Sequence, residues 1–236
     1  MYNPEKKKIA TVVIDYNPLP TQEKFHKSPK KYRAYVGALG SGKTKALVHE
    51  AIRLLLEYPK NIGVLCRKTY LELADTLIPR FFEELPEVLI KHYDKKNMRL
   101  ELVNGSILLF RSLDDPDKYK SLELGFFGID EASETTEEMW LTLCGRLRLK
   151  NVRLTGFLVS NPVNTSHWIY KYFVERHDPD YEVFRTSSYE NKDNLPPGYI
   201  ESLEANYPPS WVNTVSYTHL RAHETEADLV CRLLLE

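Results

Sequence analysis

No stretch of this 236-residue chain is apolar for long enough to cross a bilayer, which takes roughly 18–20 residues. The start, MYNPEKKKIA, carries basic residues but no apolar h-region behind them. No secretory signal is therefore expected, and the chain should stay in the cytoplasm of the cell that makes it. Basic residues are not in excess either. Thirty-two Lys and Arg stand against thirty-three Asp and Glu, for a net charge of −1. That excludes a generic polycationic nucleic-acid binder, yet leaves room for a local patch that grips and releases. Cysteine is scarce. Cys66, Cys144 and Cys231 form no CxxC pair, which excludes a disulfide framework and a cysteine zinc site and suits thiols in a reducing compartment. His219 and His223 stand at i, i+4, but no third ligand accompanies them, so they are assigned no metal. The absence of an internal repeat excludes a solenoid.

What is present is ordinary globular composition, with 42% apolar and 28% charged residues. The length suits one substantial α/β domain. Residues 1–31 are polar and read as irregular, with a short apolar run at Thr11–Ile14 and a turn at Asn17–Pro20. From Tyr32 strands and helices alternate. Strand patterns cover 32–36, 61–67, 99–103, 107–111, 125–129 and 155–160, and helical spacing covers 43–57, 70–85 and 135–147. Asn104-Gly105 between two of these strands predicts a hairpin. The alternation predicts an α/β three-layer sandwich around a mostly parallel central sheet. Residues 32–190 form the expected core. Residues 191–214, with four prolines and a short acidic helix at 200–205, read as the exit from it. Residues 215–236 differ in character and resemble a non-native tail translated from adapter sequence.

Two motifs carry chemistry. Gly37-Ala38-Leu39-Gly40-Ser41-Gly42-Lys43-Thr44 fits G-x-x-x-x-G-K-[ST] in full, after a predicted strand and before a predicted helix. The glycines let backbone N–H groups turn inward around phosphate oxygens, and the helix start adds its positive dipole end. Gly37, Gly40, Ser41, Gly42, Lys43 and Thr44 are the candidate nucleotide-binding residues. Lys43 would reach the β- and γ-phosphates of ATP, and the Thr44 hydroxyl would be a ligand of Mg²⁺. About ninety residues on, Phe126-Phe127-Gly128-Ile129 ends in Asp130-Glu131. Asp130 is the second candidate metal ligand, and Glu131 the base that polarises the attacking water. The Asp-Glu order favours the hydrolytic class of P-loop ATPases over kinases and most GTPases, which lack a base at that place.

Supporting candidates surround these. Gln22, fifteen residues before Gly37, has a side-chain amide able to match an adenine edge. Asn161, in Ser160-Asn161-Pro162, is a candidate γ-phosphate sensor that couples hydrolysis to motion. Arg146 and Arg148 are candidate trans-acting basic residues, with Lys118 and Lys120 competing for that role or for DNA phosphate. Arg67 is a further candidate on the nucleotide face.

Together these pieces resemble the N-terminal ATPase domain of phage terminase large subunits, on the PBSX-like side. The residues that carry the resemblance run from Leu19 to about Leu203. They are Gln22, the Gly37–Thr44 loop, Val64–Lys68, Leu113–Lys118, Phe127–Ala132, Gly145–Arg148, Ser160–Pro162, His167-Trp168 and Tyr189–Pro197. The resemblance implies an ASCE-type, RecA-like P-loop ATPase that assembles as a homo-oligomeric ring on a capsid portal. There it drives double-stranded DNA into the procapsid, with the portal protein and the terminase small subunit as partners, in the cytoplasm of the bacterial host. The family adds a C-terminal nuclease, and no nuclease activity is assigned to this chain. Leu39 stands where some relatives carry a basic residue, so no finger in cis is expected from the loop. Two other readings remain open here: a helicase-like or RecA-like ATPase outside packaging, and a nucleotide switch that does not hydrolyse.

Overall fold

The structure is a computed structural model that describes residues 12–114, 119 and 121–206. The Asp115–Lys118 run, Lys120 and residues 215–236, with His219, His223 and Cys231, lie outside the described residues. One eight-stranded sheet organises the domain. In chain order its strands are β1 (Tyr32–Gly37), β2 (Ile62–Arg67), β3 (Ile90–Asp94), β4 (Arg99–Leu102), β5 (Ile107–Ser112), β6 (Phe126–Ile129), β7 (Thr155–Ser160) and β8 (Tyr181–Thr186). In space the order is β3-β4-β5-β2-β6-β7-β1-β8. The six strands from β5 to β8 run parallel, and β4 and β3 extend the edge antiparallel.

Helices cover both faces, as the alternating pattern predicted. They are α1 (Pro20–Lys27), α2 (Lys43–Glu57), α3 (Tyr70–Glu72), α4 (Ile78–Glu84), α5 (Glu137–Cys144), α6 (Trp168–Tyr170) and α7 (Tyr199–Asn206). Every residue of β1, β6 and β7 is buried, because a central parallel strand has apolar layers above and below. Alternate side chains feed two cores. Tyr35, Leu65, Phe126 and Phe157 pack with Leu47, Leu54 and Phe81 on the α2 side. Ala34, Val64, Phe127 and Leu158 pack with Trp140, Leu143 and Trp168 on the α5 side.

The structure departs from expectation in several places. Residues 20–27, expected irregular, form α1. Pro20 sits at the first helical position, where its missing N–H costs nothing, and Gln22 and Phe25 face inward one turn apart. The 70–85 stretch is helical but not uniformly so. Thr69 and Glu72 make a capping box, and a π turn at Leu73–Leu77 separates α3 from α4. Pro79 cannot donate to the carbonyl four residues back, and the Thr76 hydroxyl donates to the Glu72 carbonyl at 2.6 Å, so the helix widens there. The predicted hairpin is present, but its loop is longer than two residues. Gly105 takes the left-handed conformation (φ 81°) while the Asn104 side chain turns away to the Leu55 carbonyl. Finally, β3 and β8 are edge strands rich in polar residues that lacked a strand pattern, and α5 stops at Cys144 rather than Leu147.

A buried ionic cluster locks α1 and α2 to the sheet. Arg33 of β1, fully buried, donates to Glu50 of α2 at 2.6 Å, to the Phe25 carbonyl at 2.8 Å and to Thr155 of β7 at 3.2 Å. Arg53 and His26 complete the shell around the Glu50 carboxylate. Burial opposes ionisation of Glu50, but Arg33, His26 and Arg53 outweigh it and hold the carboxyl well below its ordinary 4.5. Replacing Glu50 with Gln leaves Arg33 buried beside a neutral amide. The substitution is expected to cost about 3–5 kcal/mol, read as a lowered urea midpoint. A carboxyl with a depressed pKa contributes stability above its unfolded-state value and loses it as the pH falls. The wild-type midpoint should therefore drop on acidification below about 4.5, and Glu50→Gln should blunt that drop.

Candidate nucleotide site

β1 runs straight into the glycine loop, and α2 begins at Lys43. Gly40 (φ 74°) and Gly42 (φ 78°) take left-handed backbone that a β-carbon would oppose, and this turns the loop around on itself. Ser41 is buried and donates to the Ala38 carbonyl at 2.7 Å, closing the turn from within. Lys43 is buried beneath the loop, its Nζ donating to the Gly37 and Ala38 carbonyls at 3.0 and 2.8 Å. Burial pushes the pKa of this ammonium down, and the nearby Glu131 and Asp130 push it back up.

β6 lies two places from β1, with β7 between them. Parallel register therefore brings the C-terminal ends of all three strands to one edge. Asp130, the first residue past β6, is 1% exposed and accepts a hydrogen bond from the Thr44 hydroxyl at 3.2 Å. Burial raises its carboxyl pKa to about 6, Arg67 opposing and Glu131 adding to the rise. Glu131 sits in left-handed backbone (φ 48°, ψ 51°), an unusual state for a residue with a β-carbon and one that recurs at functional sites. Its Oε2 accepts a hydrogen bond from Asn161 Nδ2 at 2.9 Å, because β7 delivers Asn161 between the two motif strands. Lys43, Thr44, Asp130, Glu131 and Asn161 thus share one crevice, and a cleft of about 690 Å³ opens over the loop beside Glu131.

Gln22 lines the same cleft, but its amide is engaged by the protein. Nε2 donates to the Gly42 carbonyl at 3.0 Å, and Oε1 accepts from the Leu19 N–H at 2.8 Å and the Tyr16 hydroxyl at 3.1 Å. It braces α1 against the loop. Arg146 and Arg148 lie elsewhere. Leu124 N–H bonds the Arg146 carbonyl, and Arg148 N–H bonds the Leu124 carbonyl, so both sit at the N-terminal end of β6, away from Asp130. Arg148 is exposed, 3.4 Å from Glu123.

Three contributors to the cleft were given no role from the sequence. Arg80 and Glu84 reach it from α4 because the π turn sets the face that α4 presents. The third is the 3₁₀ segment Ser188–Asn194, which runs into the stretch read as an exit. Ser188 donates to the Leu39 carbonyl and Asn191 to the Gly40 carbonyl, both at 2.6 Å. Glu190 accepts from Thr21 N–H (2.6 Å), Thr21 Oγ1 (2.8 Å) and Thr186 Oγ1 (2.8 Å). The segment straps the tip of the loop to the start of α1. The resemblance marked the Tyr189–Pro197 stretch, but its role was not legible because the bonds to Thr21, Leu39 and Gly40 join positions about 150 or more residues apart.

β7 separates the two motif strands and delivers Asn161 against the acidic pair. That insertion defines the ASCE class of P-loop nucleoside triphosphatases, the fold expected from the sequence. A family model described as "Phage terminase large subunit" matches residues 29–221, and the chain belongs to that family. The PBSX phage terminase large subunit of Bacillus subtilis (strain 168) is 32% identical over 148 residues, 60% of this chain. That alignment covers 34% of the relative, so the chain spans about a third of its length. Among solved structures, the Thermus phage P74-26 large terminase ATPase domain superposes with TM-score 0.68 at 20% identity, covering 86% of this chain and 94% of that one. The large terminase from a thermophilic bacteriophage, solved in complex with ADP, gives 0.70 at 15%, covering 82% and 51%. These likenesses show the fold. Among the described residues no helix is long and apolar enough to cross a membrane.

If Glu190 holds the strap, Glu190→Ala should cost roughly 1 kcal/mol, a fall of about 2–4 °C in thermal midpoint by scanning fluorimetry. Glu190→Gln, which keeps an acceptor for the Thr21 N–H, should recover most of that loss. Equal midpoints in all three proteins would remove the strap from the account.

Proposed function

We propose that this domain binds ATP with Mg²⁺, hydrolyses it, and serves as the motor part of a terminase large subunit that moves double-stranded DNA into a procapsid. The observation that carries the reading is the meeting of Thr44 with Asp130 beside the Glu131–Asn161 pair. The ADP in the complex of the thermophilic phage's large terminase supports it by analogy.

In this reading Lys43 exchanges its two carbonyl partners for phosphate oxygens, a stronger charge-assisted pairing. The inward N–H groups of the loop and the start of α2 hold the β-phosphate. Magnesium fits the donor set, since Thr44 and Asp130 offer hard oxygens and Mg²⁺ uses few protein ligands, leaving places for water and phosphate. Thr44 and Asp130 would hold it, and bound there it would neutralise phosphate charge. Glu131 accepts a proton from, or orients, the attacking water. Asn161 holds the Glu131 carboxylate, so a change at the γ-phosphate is felt along β7. Gln22 acts in the same scheme as a brace beside the base-side wall, where adenine would lie.

Arg146 and Arg148, with Lys120, are read as acting in trans, on the nucleotide of a neighbouring copy in a homo-oligomeric ring. The position of the two arginines at the far end of β6 supports that direction. The portal protein and the terminase small subunit complete the assembly, in the host cytoplasm and transiently on the procapsid portal.

Glu131→Gln should keep affinity for a fluorescent ATP analogue while lowering phosphate release by about 100-fold or more. Lys43→Ala should lose binding itself. A wild-type rate as slow as that of Glu131→Gln, with DNA present, would favour a nucleotide switch instead. Arg146→Ala with Arg148→Ala should leave binding intact and remove the rise in ATPase rate that follows assembly. A preserved rise would release both arginines from the trans role.

A further inference from the structure

β2 and β6 are neighbours in parallel register, with Cys66 opposite Ile129. Asp130 N–H donates to the Cys66 carbonyl at 2.9 Å, so the next residue of β2, Arg67, arrives beside the Asp130 side chain. The two carboxylate oxygens of Asp130 face different partners. Oδ1 meets the Thr44 hydroxyl at 3.2 Å, and Oδ2 meets Arg67 Nη1 at 3.4 Å. A carboxylate can rotate about its last bond and exchange its oxygens. A guanidinium on one side makes the two orientations unequal, and it does so where Asp130 is almost wholly shielded from solvent.

Arg67 is itself held. The same Nη1 donates to Thr76 Oγ1, and Thr76 donates onward to the Glu72 carbonyl at 2.6 Å. Thr76 lies in the π turn Leu73–Leu77, whose widened geometry follows from Pro79 and this back-bond. A polar cavity of about 320 Å³, lined by Thr44, Arg67, Thr76 and Asp130, joins the turn to the crevice.

We infer that Arg67 is a positioning residue for Asp130: it engages Oδ2, leaves Oδ1 facing Thr44 as the metal-binding oxygen, and is aimed by Thr76 of the π turn. The inference rests on the reading of Thr44 and Asp130 as magnesium ligands. Residues that orient ligands from behind typically change metal affinity by 10–100-fold when removed. An arginine that touched phosphate directly would lower nucleotide affinity with or without metal.

The test is a titration of a fluorescent ATP analogue against the 236-residue chain, once with Mg²⁺ varied and once in EDTA. For Arg67→Gln the half-saturating Mg²⁺ concentration should rise roughly tenfold while affinity in EDTA stays within about twofold. Thr76→Val, which removes the acceptor that aims Arg67, should move it in the same direction by less, and Thr76→Ser should restore the wild-type value. The two Thr76 variants keep the question answerable if Arg67→Gln folds poorly. An unchanged Mg²⁺ requirement in both Arg67→Gln and Thr76→Val overturns the inference. So does an equal loss of affinity in EDTA, which makes Arg67 a phosphate contact or a structural prop. A wild-type protein whose binding ignores Mg²⁺ removes the ligand assignment beneath the inference as well.

Discussion

The Thr44 hydroxyl and the Asp130 carboxylate meet at 3.2 Å although the strands that deliver them, β1 and β6, share no hydrogen bond. Their meeting is set by β7, which pairs with both in parallel and fixes where each one ends. Phe157 of β7 lies opposite Arg33 on one side and Gly128 on the other, so a slip of β7 by one residue would separate the loop from the acids. The crevice is thus a property of sheet register before it is a property of any side chain. The buried cluster of Arg33, Glu50 and Thr155 ties β1, α2 and β7 together at a level below the site and resists such a slip.

Much of this was legible in the sequence, for identifiable reasons. The glycine loop is local. Its backbone angles, its lysine and its following helix are specified within a dozen residues, and α2 spans Lys43–Glu57 as its apolar spacing indicated. The buried strands were legible because a parallel strand covered on both faces is apolar along its middle, as Phe126–Ile129 and the Gly156–Val159 stretch of β7 are. Asn161 could be placed in the crevice from its position just past such a strand.

What escaped was non-local. Pro20 reads as part of a turn in the sequence, because only the packing of Phe25 under β1 and β8 reveals that it starts a helix. Gln22 stands out by position, yet its three bonds run to Tyr16, Leu19 and Gly42, and spacing alone could not foretell that the protein engages both ends of its amide. Arg146 and Arg148 follow the helix after Glu131, and sequence order alone left open which end of the sheet they would reach. The chain crosses to the N-terminal end of β6 there, as the Leu124–Leu147 bridge records. The strap through Glu190 lies in a stretch that carried the resemblance, but its hold on Thr21 spans 169 residues and no local pattern could assign it.

The backbone of Glu131 has a consequence for how such a domain can evolve. Holding a side chain with a β-carbon at φ 48° costs on the order of 1–3 kcal/mol, which the surrounding packing must supply. Glycine at 131 would relax that strain and leave a sturdier domain without the carboxylate proposed to activate water. On the proposed role, endurance and chemistry pull this single position in opposite directions.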